Sequence, residues 1–159
     1  MIDFEHIQKT LVNKLQDELQ VPVIVANPDG PKPQEPFVIL NFTSPYIPSG
    51  SYVEETKDEE DCYVEIKRTS WDKMVASLTF YGDDNKNGLK ALDYIQFKGY
   101  DELRKEAGLV LVSNTALQNR DVYVIDQWER KTGFDATFRV VSETLKQIDS
   151  IQSVNKEED

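Results

Sequence analysis

A histidine-assisted nucleophile or a zinc site in this chain would have to start from His6 and Cys62, because its 159 residues include one histidine and one cysteine. A Ser, Cys or Thr nucleophile needs a base held beside it. His6 falls on the side of its helix opposite Phe4, Ile7 and Leu11, so it is expected in solvent rather than beside Cys62. A zinc site needs several Cys or His ligands, and this chain does not supply them. Neither a G-x-S-x-G elbow nor a glycine-rich phosphate loop occurs. Asp83-Asp84-Asn85-Lys86-Asn87-Gly88 fits the first half of a calcium loop, but Tyr94 stands where the bidentate Glu should be. The segment reads instead as a polar turn whose Asp and Asn side chains cap the next helix. Carboxylate pairs carry no signal, since 29 acids allow any number of them. No catalytic residue, cofactor or metal is expected.

The bulk numbers agree with a chain that works through its surface. Length fits a single domain, large enough to bury roughly 68–70% of its unfolded surface. An apolar fraction of 39% and 10% aromatics argue for a packed core despite a net charge of -11. That charge repels phosphates, which disfavours binding to DNA or anionic membranes but lets DNA pass close by. Lys67-Arg68 and Arg130-Lys131 are isolated basic pairs without the interleaved aromatics of a single-strand binder. A lone cysteine allows no intrachain disulfide and fits a reduced compartment. The runs Val21–Ala26 and Phe37–Leu40 are too short to span a bilayer, and no leader pattern is visible; a cytoplasmic protein is expected.

These residues need elements to place them. Phe4, Ile7, Leu11, Leu15 and Leu19 make one apolar stripe, which predicts a helix over 3–19 with Asp3 as N-cap. Val21–Ala26 and Phe37–Thr43 read as strands around a proline-rich loop over 27–36. Cys62–Thr69 and Trp71–Tyr81 read as two more, the latter with period two. A second helix over 86–97 should bury Leu89, Leu92, Ile95 and Phe97, and a third over 100–107 should end at Gly108. Leu109–Ser113, Val122–Trp128 and Phe134–Ser142 complete the strands, with 143–154 as a short helix or tail. The order predicts an α+β domain over 1–148, a mostly antiparallel sheet with helices on one face, and a polar, frayed tail over 149–159.

Two features fall outside that scaffold. Ser44–Asp61 runs from Tyr46-Ile47-Pro48 to the acids Glu54, Glu55, Glu59 and Glu60, and reads as a solvated loop or mobile arm. It serves either solubility or contact with a partner or a pore. Tyr46, Tyr52, Trp71 and Trp128 sit at loop or strand ends, where each is either core or an interface anchor.

Taken in order, several segments resemble one family. They are the N-terminal helix, Val21-Pro22-Val23-Ile24-Val25-Ala26-Asn27 with its proline loop, and Phe42-Thr43-Ser44-Pro45-Tyr46-Ile47-Pro48. Ser77-Leu78-Thr79-Phe80-Tyr81-Gly82-Asp83-Asp84, Gly99-Tyr100 and the stretch from Gln127-Trp128 to Arg139-Val140 follow. Over roughly residues 1–145 the chain resembles the tail terminators, or neck terminators, of long-tailed phages and of prophages in Gram-positive bacteria. The resemblance implies a small structural protein forming a hexameric ring. Such a ring caps the tail tube, stops its polymerisation and joins the neck of the head. It implies a tube protein and a neck or head-completion protein as partners, and DNA traversing the lumen without specific binding. It carries over no catalytic residue and no fixed interface motif. Alternatives are another head–tail connector or tail completion protein, or an acidic inhibitor that mimics DNA. Neutralising the acids of the Ser44–Asp61 arm should alter assembly or DNA ejection; unchanged titre and ring formation would clear the arm of that role.

Overall fold

A computed structural model describes residues 1–27, 29–57, 63–82 and 85–149. Helix α1 (Phe4–Leu19) is held at its start by Asp3, whose carboxylate accepts from the His6 amide at 3.1 Å. It ends where Gln20 turns left-handed at φ 56°, two residues before Pro22. Its stripe is buried at Ile7, Leu11, Leu15 and Leu19, while Phe4 packs edge-on against Phe42.

Strand β1 (Val23–Val25) runs parallel to β2 (Phe37–Ile47). β2 pairs antiparallel with β4 (Tyr63–Tyr81), and β4 pairs along its whole length with β9 (Lys131–Asp149). β5 (Leu109–Asn114) and β6 (Gln118–Asn119) lie on the outer side of β9. The expected α+β class is what the chain adopts: a mostly antiparallel sheet, helices against one face. Core side chains alternate large and small across the β4–β9 ladder: Met74 opposes Phe138, Ala76 opposes Ala136, and Leu78 opposes Phe134. These residues share one buried cluster with α1, α2 (Lys86–Asp93) and α3 (Tyr100–Ala107).

Several expectations are corrected. The two strands predicted over 62–69 and 71–81 are one continuous β4. It does not stop at Ser70 because β9 stays paired to it there, while its other neighbour changes from β3 (Ser51–Lys57) to β2. Of Ser44–Asp61, expected as a solvated loop or mobile arm, residues 44–47 continue β2 and 51–57 form that β3, an edge strand of an arm built from β3, the first half of β4 and the last half of β9; residues 58–61 lie outside the described residues. Residues 143–149, expected as helix or tail, continue β9 to Asp149. Residues 122–128 do not form one strand; β7 (Val122–Val124) and β8 (Gln127–Glu129) fold on each other as a separate hairpin.

The second helix also departs from its stripe. It turns π-helical over Tyr94–Lys98, and its buried residues are Asn87, Gly88, Ala91, Tyr94 and Ile95. Leu89 and Phe97 point outward, Phe97 being 83% exposed. The extra residue per turn swings the chain so that Tyr94 packs inward over Gly99, which leaves no room for a Cβ there. The Tyr94 hydroxyl donates to Glu102 at 2.8 Å, and Lys14 donates to the same carboxylate at 2.8 Å. Lys14 therefore holds Glu102 below the usual carboxylate range, and burial together with Glu102 pushes the Tyr94 phenol up. This trio fastens α1 to α3.

On the sheet face opposite the helices, Arg120 donates to Ser77 Oγ at 2.8 Å, Thr79 Oγ1 at 3.1 Å and Asp135 Oδ1 at 3.1 Å. Gly133 makes room for it: a Cβ there would sit 2.5 Å from the Leu78 carbonyl oxygen and 2.6 Å from Arg120 Nη1. Gly133→Ala should therefore destabilise the fold by about 1–3 kcal/mol through overpacking, read as a lower denaturant midpoint.

Candidate interaction surface

The residues singled out from the sequence fall in two places, around the middle of the β4–β9 ladder and beyond its Tyr81↔Lys131 end. At the root of the arm, Tyr52 and Trp71 come together with ring centroids 5.1 Å apart. They share a sheet face because Tyr52 opposes Thr69, two residues before Trp71. Tyr46 is exposed on the other face, beside Arg68 and Asp72 in a shallow cleft of about 340 Å³. Ile47 is half-buried opposite Lys73, and Pro48 lies in the exposed turn that ends β2. The buried Asp72 carboxylate takes the Ser49 amide at 3.4 Å, and the Trp71 amide donates to the Gly50 carbonyl at 2.9 Å. Those contacts set the crossover from β2 to β3.

Along the arm, Glu54 stands opposite Lys67 and Glu55 opposite Ile66. Lys67 also pairs with Glu143 at 3.1 Å, so the acids here are interleaved with cations. Glu59 and Glu60 lie outside the described residues, as do Cys62, Asp83 and Asp84. His6 is exposed, its Nε2 2.7 Å from the Glu106 carbonyl. Asn85, at the N-cap of α2, makes no side-chain capping bond.

Trp128 is not part of the arm cluster. It sits in the β7–β8 hairpin, 66% exposed, tilted against Tyr123 at 5.4 Å. The hairpin turns at Ile125 and Asp126, both with positive φ, 47° and 60°. A β-branched residue in that region is strained, and Ile125 is 91% exposed at the tip. Beside it opens a polar cleft of about 500 Å³ lined by Glu35, Asn119, Asp121, Trp128, Glu129 and Arg130, among others. Among the described residues no three His, Cys, Asp or Glu side chains converge as metal ligands.

Sequence reasoning missed the exposed Tyr123, Ile125, Val141, Leu145 and Ile148. Val141 stands opposite Trp71 and Leu145 opposite Lys67, on the Tyr52 face; Ile148 opposes Val64 on the other. Only the pairing register reveals these groupings.

An α+β domain that seals its core yet leaves apolar side chains exposed on a β-arm and on a separate hairpin is of the class that docks onto other proteins. The sequence model of the phage neck terminator protein family matches residues 9–159, nearly the whole chain. The chain belongs to that family, a family of structural proteins of the phage neck. No curated protein matches it. A place at the tail–neck region of the virion fits this membership, and no described helix is long and apolar enough to cross a membrane.

The hairpin is tied to the body by charge. Glu129 accepts from Lys32 at 2.9 Å and from Lys131 at 3.2 Å. Both ammonium groups lie 5.4 Å from the centroid of the Tyr81 ring, which stacks on Phe37 at 4.5 Å. Lys32 foremost, with Lys131, holds the Glu129 carboxyl below its usual range against the opposing effect of burial. A depressed folded pKa gives stability that is present above the unfolded value, about 4.3, and is lost as pH falls through the folded value. Glu129→Gln should cost about 0.5–1 kcal/mol at neutral pH. The gap from wild type should close in thermal melts run in strong acid.

Proposed function

We propose that this chain closes the finished tail tube as a homo-oligomeric ring, a hexamer, that ends polymerisation and presents its free side to the neck or head-completion protein. Family membership supports the tail and neck setting. The observation that carries the reading is the arm, whose two faces both leave apolar side chains in solvent: Tyr52, Trp71, Val141 and Leu145 on one, Val53 and Ile148 on the other. A sheet that is apolar and open on both sides suits a subunit with neighbours on both sides. The partners are then further copies of the chain, the tube protein and the neck protein. Tyr46, Ile47, Pro48, Tyr52, Glu54, Glu55, Trp71 and Trp128 are proposed as contact residues. The ring would assemble in the host cytoplasm and remain at the tail–neck junction.

A net charge of -11 suits a lumen that genomic DNA must traverse without adhering. On this reading the protein has no catalytic role and no cofactor. The interleaving of Glu54, Lys67 and Glu143 on one arm face disfavours a DNA mimic, which needs an uninterrupted anionic surface. Deleting the gene should yield tails of uncontrolled length, unattached to heads, in electron micrographs of induced cells. Normal tails joined normally to heads would overturn the proposal.

A further inference from the structure

We infer that the tip of the β7–β8 hairpin of one copy docks into the cleft beside Trp71 of a second copy, with Asp126 set against Lys73 and Arg139; the inference rests on the ring reading above. Lys73 and Arg139 are direct cross-strand neighbours in the β4–β9 register. Like charges so placed repel. Neither makes an ion pair among the described residues: Asp72 points to the opposite sheet face, and Asp135 is taken by Arg120. Trp71 and Val141 stand next to them on the same face, and a shallow cleft of about 350 Å³ opens there between Ser49, Gly50, Trp71 and Arg139. The site therefore offers an aromatic wall and two uncompensated cations.

The hairpin tip supplies the complement. Ile125 is an exposed apolar side chain held at φ 47°, and Asp126 follows at the outermost turn, its carboxylate accepting, among the described residues, only the Tyr123 hydroxyl at 3.2 Å. A two-residue turn with positive φ at both positions strongly prefers Asn-Gly or Asp-Gly. Isoleucine at the first position costs stability and buries nothing within its own chain, so its side chain is accounted for by a contact outside it.

The hairpin cannot reach the cleft of its own molecule. It adjoins the Tyr81↔Lys131 end of the ladder, where Trp128 lines a cleft with Phe80 and Gly82. Trp71 is ten register positions away, about 33 Å at the rise of an extended strand, whereas three-residue strands span about 10 Å. Donor and receptor patches at two separate places on one chain define a heterologous contact, the kind that closes rings.

The test uses two full-length variants. Ile125→Asn with Asp126→Gly gives the turn its preferred residues; its melting temperature should equal or exceed that of wild type, while self-association weakens by about tenfold or more. Lys73→Glu with Arg139→Glu removes the receptor. In sedimentation velocity each variant alone should be monomeric where wild type assembles. An equimolar mixture should form a one-to-one dimer and stop there, because it contains one intact hairpin and one intact cleft. The inference fails if the turn variant assembles like wild type, if the mixture stays monomeric, or if wild type itself remains monomeric at the highest concentration reached. Failure here with overlong tails in the deletion strain removes the docking site and leaves tail termination standing. A stalled dimer with normal tails does the reverse.

Discussion

Nineteen consecutive register pairs join β4 to β9, and every other part of the molecule is placed by that ladder. Its half toward Tyr81 and Lys131 carries the alternating core residues that α1, α2 and α3 cover. Its half toward Tyr63 and Asp149 leaves the helices behind and becomes an arm. The division needs no break in the ladder, because it is the flanking strands that change: β2 pairs with β4 up to Lys73 and β3 takes over from Ser70, while β5 pairs with β9 only as far as Val140. Ser49 and Gly50 carry the chain between them, fastened by Asp72 and the Trp71 amide. A single pair of strands thus fixes how far apart the two exposed patches lie.

Around the ladder, polar groups act as local fasteners more than as a general surface. Arg120 spans both strands from the uncovered face and is admitted by the missing side chain of Gly133. Glu129 gathers Lys32 and Lys131 over Tyr81 and so joins the proline-rich loop to the hairpin. Lys14, Glu102 and Tyr94 do the same between helices. Each is a short-range contact, so most of the excess negative charge is left in solvent, where screening limits its cost.

The buried half of the fold was legible because it obeys binary patterning. The stripe of α1, the alternation from Met74 to Phe80 and that from Phe134 to Val140 all have one wet side and one dry side, as the helix and strand periods require. The arm was illegible for the converse reason. With both faces in solvent, Ser51–Lys57 and 143–149 had no alternation to display, and their Glu and Lys residues are poor strand formers by propensity. Leu145 and Ile148 are three apart, a helical spacing, yet they project from opposite faces of one strand. Helix α2 misled differently: its buried face runs through Asn87, Gly88 and Ala91, small or polar residues that carry no apolar signal and leave Leu89 outside, and Phe97 is exposed within the π-helical turn at Tyr94–Lys98. For the proposed contact residues, type was readable and grouping was not. Tyr52 and Trp71 meet only through the β3–β4 register, and the Lys73–Arg139 pair exists only across β4 and β9. The family resemblance, carried by the order of segments, survived these local errors because it did not depend on any one of them.

An unbroken ladder also has a mechanical meaning. Its hydrogen bonds lie across the strands. A pull along the strand axis, from the arm toward the hairpin end, cannot open them one after another as a zipper opens; it must shear the whole row at once. A load applied between the arm and the hairpin end would therefore be shared among bonds from Tyr63 to Tyr81 rather than concentrated at the junction of arm and body. The junction, where a loop or linker would otherwise be the compliant point, is instead the middle of a stiff strut.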